Sequence, residues 1–495
     1  MLFNSVDFFI FFPIVTIIYF LIPYKIRWVW LLISSYYFYM CWNPKYAVLM
    51  AVSTIITYVS GLLIEKADNI SDEKKSIKLK KFWVFMSFAS NLSILFLFKY
   101  FKFFTRTITR IFAIFNISIA MPVFDFLLPV GISFYTFQAL SYTMDVYRKD
   151  IRAEKNLGKY ALFVSFFPQL VAGPIEKSKD LLYQFNEKHS FDYNRAKSGL
   201  LLMIWGYFQK VLVADRLAIL VNKVYNNPWD YKGFEIIVAT IFFAFQIYCD
   251  FCSYSDIARG AAEVMGFRLT KNFERPYFSK SIKEFWRRWH ITLGAWFKDY
   301  LYFPLGGSRC SKSRKYFNIM VVFLTSGLWH GAAINFIIWG GLHGIYQVIG
   351  DILKPSREKL IKAFKIKPNT FVYKLFQVLL TFILVDFAWI FFRANRFSDA
   401  RTLITNMMNF NPEIFVNGSI YNLGLGSKDF IMAVLSIVIV LIINMLQRDK
   451  SLRVQISERN TVFRWTLYLA AVLSILIFGI YGPGCSAQQF IYFQF

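Results

Sequence analysis

Charge is scarce in this chain. Asp, Glu, Lys and Arg supply only 17% of its 495 residues, against roughly 25% in ordinary soluble domains. A soluble protein of this length needs far more polar surface to cover its core, which excludes a soluble globular fold. Disorder is excluded as well, because disordered chains lack apolar residues to bury, and here 57% of residues are hydrophobic and 20% aromatic. Acidic residues are the scarcer sign, 30 against 56 basic, for a net charge of +26. Cysteine is sparse too. Cys41, Cys249, Cys252, Cys310 and Cys485 are scattered and odd in number, so they form no disulfide framework. Cys249 and Cys252 make a CxxC inside the apolar run FFAFQIYCDFCSY, but no second pair completes a metal site, and they read as small residues packed in a membrane helix. Gly306-Gly307-Ser308 lacks the Lys and the spacing of a phosphate-binding loop, and neither HExxH nor a legible Ser–His–Asp set occurs.

Long apolar runs are what the chain has instead, with a mean hydropathy of +0.43. A bilayer core of about 30 Å needs about 20 mostly apolar residues per helix. Stretches such as 8–22, 371–392 and 431–445 are continuously apolar, not alternating as in a closed barrel. The chain therefore reads as an all-α polytopic integral membrane protein, one membrane domain over 1–495, with about 10–13 spans by this length rule. Apolar stretches lie near 7–23, 28–43, 46–64, 82–98, 123–145, 160–172, 199–220, 234–252, 317–329, 333–351, 371–392, 429–446 and 464–481. Pro168-Gln169 and Gly173-Pro174 interrupt one region, and broken backbone at membrane depth survives only inside protein or beside a water-filled cavity. KYFKFFTRTITRIF mixes basic and aromatic residues at helical spacing, as an interfacial helix does. No internal repeat of the transporter kind is found.

The basic residues fall mostly in short loops, as the positive-inside rule expects of cytoplasmic ones. That argues for anionic lipid or an anionic cytosolic donor as their partner, and against nucleic acid. The N-terminal stretch has no basic n-region or small-residue cleavage site and reads as a retained first span. Lys25 and Arg27 follow it, so the N-terminus is expected outside the cytoplasm. Three spans from there reach the Lys-rich segment 65–81, which is expected inside.

Four histidines occur, and each can be weighed. His189, in FNEKHSFDY, reads as a solvated loop residue. His290 lies in SIKEFWRRWHITLGAWFKDYLYFPLGG, where a continuous helix would put Trp286, Trp289, His290, Leu293, Trp296 and Phe297 on one face and let Glu284 pair with Arg288. A satisfied core histidine and a catalytic one both fit that stripe. His330, in TSGLWHGAAINFIIWGG, is an ionisable side chain in an apolar span, a functional hypothesis by default. A neutral imidazole can take a proton from a hydroxyl; helix packing and proton relay are the other readings. His343 in GGLHGIYQ reads first as a packing residue, with support of another histidine as the alternative. Asp250 and Asp256, in IYCDFCSYSDIARG, are expected to face a polar cavity or to pair with a base such as Arg259; substrate contact is the second reading.

These residues carry a resemblance. LFNSVDFFIFFPIV with WLLISSYYFYMCWNP, FFPQLVAGPIEK, QIYCDFCSYSDIARG, NFERPYFSKSIKEFWRRWHITLGAWFKDYLYFPLGGSR, TSGLWHGAAINFIIWGGLHG and the final FIYFQF together resemble the alginate O-acetyltransferase branch of the membrane-bound O-acyltransferase superfamily. RRWH followed by LWHG, with 40 residues from His290 to His330, is the specific part of the match. One departure is QIYCDFCSYSD where the family has a QIYFDFSGYSD-type stretch; both Asp are kept, so altered packing is expected and not lost activity.

The resemblance implies a ring of helices around a central tunnel, with re-entrant and interfacial helices. It implies that His330 is the family's essential histidine and His290 its second one, with Trp329, Trp289, Asp250, Asp256 and His343 lining the tunnel. It implies no bound cofactor, acetyl-CoA as acyl donor, and an extracytoplasmic polysaccharide acceptor reached through a partner protein. His330 would act as general base on the acceptor hydroxyl, while His290 orients a substrate or helps stabilise the oxyanion. Lys271, Arg275, Lys280 and Lys283 are candidates for the donor's phosphates. A D-alanyl transferase of the teichoic-acid type, fed by an acyl carrier protein, shares the histidines, and so does a peptidoglycan O-acetyltransferase. A polysaccharide transporter or flippase in the plasma membrane, or a scaffold, would explain the spans without histidine chemistry.

Overall fold

The computed structural model describes residues 1–118, 128–171, 173–448, 451–481 and 490–491. Among them every regular element is helical, and the protein is an all-α membrane protein. Two compact units are distinguished, residues 1–203 with 257–270, and 204–256 with 271–495.

The first unit opens with α1 (Val6–Leu21), α2 (Arg27–Met40), α3 (Pro44–Ala67), α4 (Glu73–Leu95) and α5 (Phe101–Ile114). Helix starts follow side-chain chemistry: Ser5 accepts from the Phe8 amide, Asn43 precedes Pro44 at the first helical position, and Asp72 accepts from the Lys75 amide. α5 continues α4 through a π-helical turn at Phe96–Tyr100, so the basic-aromatic segment prolongs a span and does not form a detached interfacial helix. α6 (Ile132–Tyr147), α7 (Leu157–Ser165), α8 (Phe167–Leu170), α9 (Ser178–Leu181) and most of α10 (Tyr193–Tyr207) complete the unit.

Buried hydroxyls join these helices. Ser87 meets Thr143 at 2.9 Å and the Tyr160 hydroxyl donates to Thr57 at 2.7 Å, the kind of bond that holds helices together where apolar lipid gives no hydrophobic drive. The expected interruption near Pro168 is a break between α7 and α8. There the Phe167 amide donates to the Ser35 hydroxyl, and the Phe163 carbonyl accepts from Gln138 and Gln169, so freed backbone groups find side-chain partners. His189 lies in a loop as expected, but its ring packs on Phe267 at 4.7 Å, so it is half-buried and not solvated.

The second unit holds α11 (Asp215–Asn226), reached from α10 through a π-helical turn at Phe208–Ala214, and α12 (Gly233–Met265), whose last turns belong to the first unit. It continues with α13 (Ile282–Arg288), α14 (Ile291–Phe297), α15 (Lys312–His330), α16 (Ile334–Ile352), α17 (Lys354–Ala363), α18 (Phe371–Arg393), α19 (Phe397–Met407), α20 (Ser427–Leu446), α21 (Leu452–Ser457) and α22 (Thr461–Phe478).

Six helices among the described residues are long and apolar enough to cross a membrane: α3, α4 with α5, α12, α18, α20 and α22. α16 and α17, bent by 50° at a short break, add a seventh if counted as one span. The other apolar stretches are shorter, as α1 is, or interrupted, as 160–172 is; 199–220 runs on through a π-helical turn but carries Lys210, Asp215 and Arg216, and 123–145 lies partly outside the described residues.

Candidate active site

The expected continuous helix around His290 is interrupted. α13 starts at Ser281, whose hydroxyl accepts from the Glu284 amide, while Glu284 reaches back to the Lys280 amide and pairs with Arg288 at 2.6 Å. It ends at Arg288. Trp289 is extended and His290 sits in the left-handed region at φ 45°, before α14 begins. For a non-glycine residue that conformation stores about 1–3 kcal/mol of strain, which surrounding structure must hold in place.

Asn272 does this. Its carbonyl accepts from the Ile291 amide at 2.9 Å, and its side-chain Oδ1 accepts from the Thr292 amide at 3.2 Å and the Thr292 hydroxyl at 3.0 Å. A backbone amide can only donate, so the Asn272 atom it meets is the oxygen. The same oxygen lies 3.2 Å from His290 Nδ1. His290 therefore carries its proton on Nδ1, and Nε2 is the ring's acceptor atom. The aromatic stripe survives the break: Trp289, His290, Leu293, Trp296 and Phe297 are all buried, with Trp286 half-buried. The Phe251 ring of α12 stands edge-on to His290, centroids 4.6 Å apart.

His330 is the last residue of α15 and is buried. Gly331 is extended, and α16 starts three residues on, so α15 and α16 form a tight hairpin. Glycine sets its closeness. A Cβ on Gly327 would meet the Phe336 carbonyl oxygen at 2.2 Å, and one on Gly340 the Phe323 carbonyl oxygen at 2.2 Å. Asn335 pins the start of α16 to the end of α18 by donating to the Ala394 carbonyl at 2.8 Å. Aromatic rings then enclose His330: Trp329 and Trp339 at 4.9 Å and Phe392 at 5.4 Å, with Trp339 stacked on Trp389 at 5.7 Å.

The two histidines are brought together, ring centroids 6.5 Å apart, with Trp329 6.0 Å from His290. His343 is fully buried on α16 and shares a ring neighbour with His330. Trp339 stands beside both, and the Trp286 indole donates to His343 Nδ1 at 3.2 Å. Trp289 is buried against Trp389 at 5.1 Å.

Asp250 pairs with Lys210 at 2.7 Å, a different base from the Arg259 suggested by sequence proximity, and Lys210 also meets Asp215 at 2.8 Å. Asp256 accepts from Gln209 at 3.3 Å and faces the Cys252 thiol at 3.5 Å; Cys249 and Cys252 are both buried in α12. The basic candidates lie apart from this enclosure. Lys271, Lys280 and Lys283 are exposed, with Lys271 3.6 Å from Glu274, and the half-buried Arg275 is a second left-handed residue at φ 48°.

Sequence reasoning missed Lys210, Asp215, Asn272 and Asp386. Lys210 and Asp215 stood as the two charges in the otherwise mostly apolar run GYFQKVLVAD, and Asp386 alone in FILVDFAWIFF, a signal for buried charge that was there to read. Asp386 Oδ1 is buried with no hydrogen-bond partner among the described residues. Asn272 gave no signal, since its partners lie 18 and 20 residues away.

Comparison with known proteins follows the same residues. The model of the membrane-bound O-acyltransferase family matches residues 151–394, which include both histidines. The probable alginate O-acetylase AlgI of Pseudomonas putida is 34% identical over 99% of both chains. The peptidoglycan O-acetyltransferase of Helicobacter pylori is 32% identical over 77% of this chain and 74% of its own. The teichoic acid D-alanyltransferase of Bacillus subtilis is 26% identical over 54% of this chain and 69% of its own.

Proposed function

The chain belongs to the membrane-bound O-acyltransferase family and is an acyltransferase, and from that premise we propose that it moves an acetyl group from cytosolic acetyl-CoA to a hydroxyl of an extracytoplasmic polysaccharide. It does so in a bacterial plasma membrane, with the N-terminus outside, and passes the group on with a partner protein on the outer face. The observation that carries this reading is the pairing of His330 and His290, 6.5 Å apart in an aromatic enclosure. At that spacing two neighbouring polar groups of one bound substrate can each reach one ring at hydrogen-bond distances of about 2.7–3.0 Å.

His330 takes the proton of the acceptor hydroxyl as its oxygen attacks the thioester carbonyl. The C–S bond then breaks, the thiolate leaves as coenzyme A, and the imidazolium gives up the proton to it. The negative end of the α15 dipole faces the charge that forms on His330. His290, with its proton committed to Asn272, offers Nε2 to a second donor, such as a neighbouring sugar hydroxyl or a pantetheine amide, and so orients the substrate. Trp329 and Trp289 exclude water, which strengthens each polar contact. Lys271, Arg275, Lys280 and Lys283 meet the phosphates of the donor, a role that the exposure of the three lysines permits.

The test is a donor comparison. Purified protein in detergent, given polysaccharide acceptor and the outer-face partner, should release coenzyme A from acetyl-CoA and ester-link the acetyl group. Turnover only with a D-alanyl-loaded carrier protein would move the assignment to D-alanyl transfer. Turnover with neither donor would favour a transporter.

A further inference from the structure

The buried Lys210 contacts two carboxylates, Asp215 at 2.8 Å and Asp250 at 2.7 Å, and all three are sealed from solvent. One ammonium neutralises one carboxylate. Asp215, five residues along the same turn of chain, suffices for that, and a second carboxylate in a buried site adds a desolvation penalty. Asp250 has a further contact: its other oxygen accepts from the backbone amide of Ile491 at 2.8 Å.

That bond is one of several between residues 208–250 and the last part of the chain. The π-helical turn at Phe208–Ala214 shifts backbone bonding to i→i+5 and so leaves carbonyls of the turn open to outside donors. The Val211 carbonyl accepts from the Ile480 amide at 3.1 Å, and Arg216 donates to the Phe478 carbonyl at 2.7 Å. Phe490 is buried, its ring 4.3 Å from Tyr254 and 5.8 Å from Phe251. Phe251 is the ring that stands against His290 at 4.6 Å.

We propose that Asp250 is a positioning residue: paired with Lys210, it anchors the C-terminal segment at Phe490–Ile491, and that segment holds Phe251, and through it His290, in place for acyl transfer. Asp250 does not touch substrate. The proposal rests on the acyl-transfer reading for its kinetic part, while the anchoring stands on the hydrogen bond alone.

Two variants separate the possibilities. Asp250→Asn keeps an oxygen for the Ile491 amide; Asp250→Ala removes it; both leave the Lys210–Asp215 pair. Hydrogen exchange of the Ile491 amide, by mass spectrometry of the full-length protein in detergent, should speed up tenfold or more in Asp250→Ala and stay close to wild type in Asp250→Asn. Unchanged exchange in Asp250→Ala would overturn the anchoring. With acetyl-CoA, kcat should fall at least tenfold in Asp250→Ala, with KM for the donor within twofold of wild type, and Asp250→Asn should restore most of the loss. A faster-exchanging tail with unchanged kcat, or equal loss in both variants, would overturn the positioning role. If wild type releases no coenzyme A, the acyl-transfer reading fails, and the exchange arm still decides the anchoring.

Discussion

Gly340 and Gly341 are adjacent in α16 and should respond oppositely to the same methyl group. A Cβ on Gly340 would stand 2.2 Å from the Phe323 carbonyl oxygen, a backbone atom, whereas one on Gly341 would stand 3.6 Å from Leu324 Cδ2. An ordinary carbon–oxygen contact is about 3.3 Å or more, so Gly340→Ala forces α15 and α16 about 1 Å apart. Overpacking of this kind costs about 1–3 kcal/mol, only partly offset by the roughly 1 kcal/mol that Ala contributes over Gly in a helix interior. Gly341→Ala keeps the propensity gain without the clash. The functional effect is larger, because α15 ends in His330, and a 1 Å misplacement of a reacting group can cost about a hundredfold in rate. Thermal unfolding in detergent and coenzyme A release should therefore both fall in Gly340→Ala and stay level, or rise slightly in stability, in Gly341→Ala. Equal behaviour of the two variants would refute the claim that backbone contact across this hairpin sets the position of His330.

Other outcomes follow from the same geometry. Asn272→Ala removes the oxygen that fixes the Nδ1–H form of His290 and the left-handed turn; kcat should drop tenfold or more, and Asn272→Asp, which keeps an acceptor oxygen, should lose less. Cys41, exposed after α2, should react with a membrane-impermeant maleimide on intact spheroplasts in a Cys310→Ser, Cys485→Ser background, while a cysteine placed at Lys75 should not; the reverse pattern would invert the topology. Asp68, just after α3, is held below the usual carboxylate range by its hydrogen bond from Lys80, with Lys149 adding to it. A lowered carboxylate stabilises the fold above its unfolded value and loses that contribution as pH falls through the folded one. Asp68→Asn should thus melt slightly lower than wild type at pH 7, by about 0.2–1 kcal/mol for an exposed pair, and the two curves should converge in acid.

Spans such as α3, α18 and α20 were legible because an uninterrupted apolar run of bilayer length has few other uses. The break at Trp289–His290 was not. The residues on both sides keep the same aromatic spacing, so periodicity passes through the interruption unmarked, and only the bonds from Asn272 to Ile291 and Thr292 require it. His330 and His290 were legible one at a time as ionisable groups among apolar ones; their proximity depends on the glycine contacts of one hairpin and on a left-handed turn, neither of which a linear pattern encodes. Asp250 was legible as an anomaly but its partner was not. Lys210 lies 40 residues away, while Arg259 is nearer in sequence, and nearness along the chain is a poor guide where a helix as long as α12 carries its residues to different surroundings.

The central claim is that His330 performs the chemistry and does not merely complete the packing of α15. The measurement that tests it most directly is single-turnover acetyl transfer by wild type and His330→Ala, with acetyl-CoA binding measured in parallel. The account predicts a rate loss of about a hundredfold to ten-thousandfold, the range of a lost general base, with donor affinity unchanged within a few-fold. A variant that binds acetyl-CoA and transfers the acetyl group at close to the wild-type rate would contradict it.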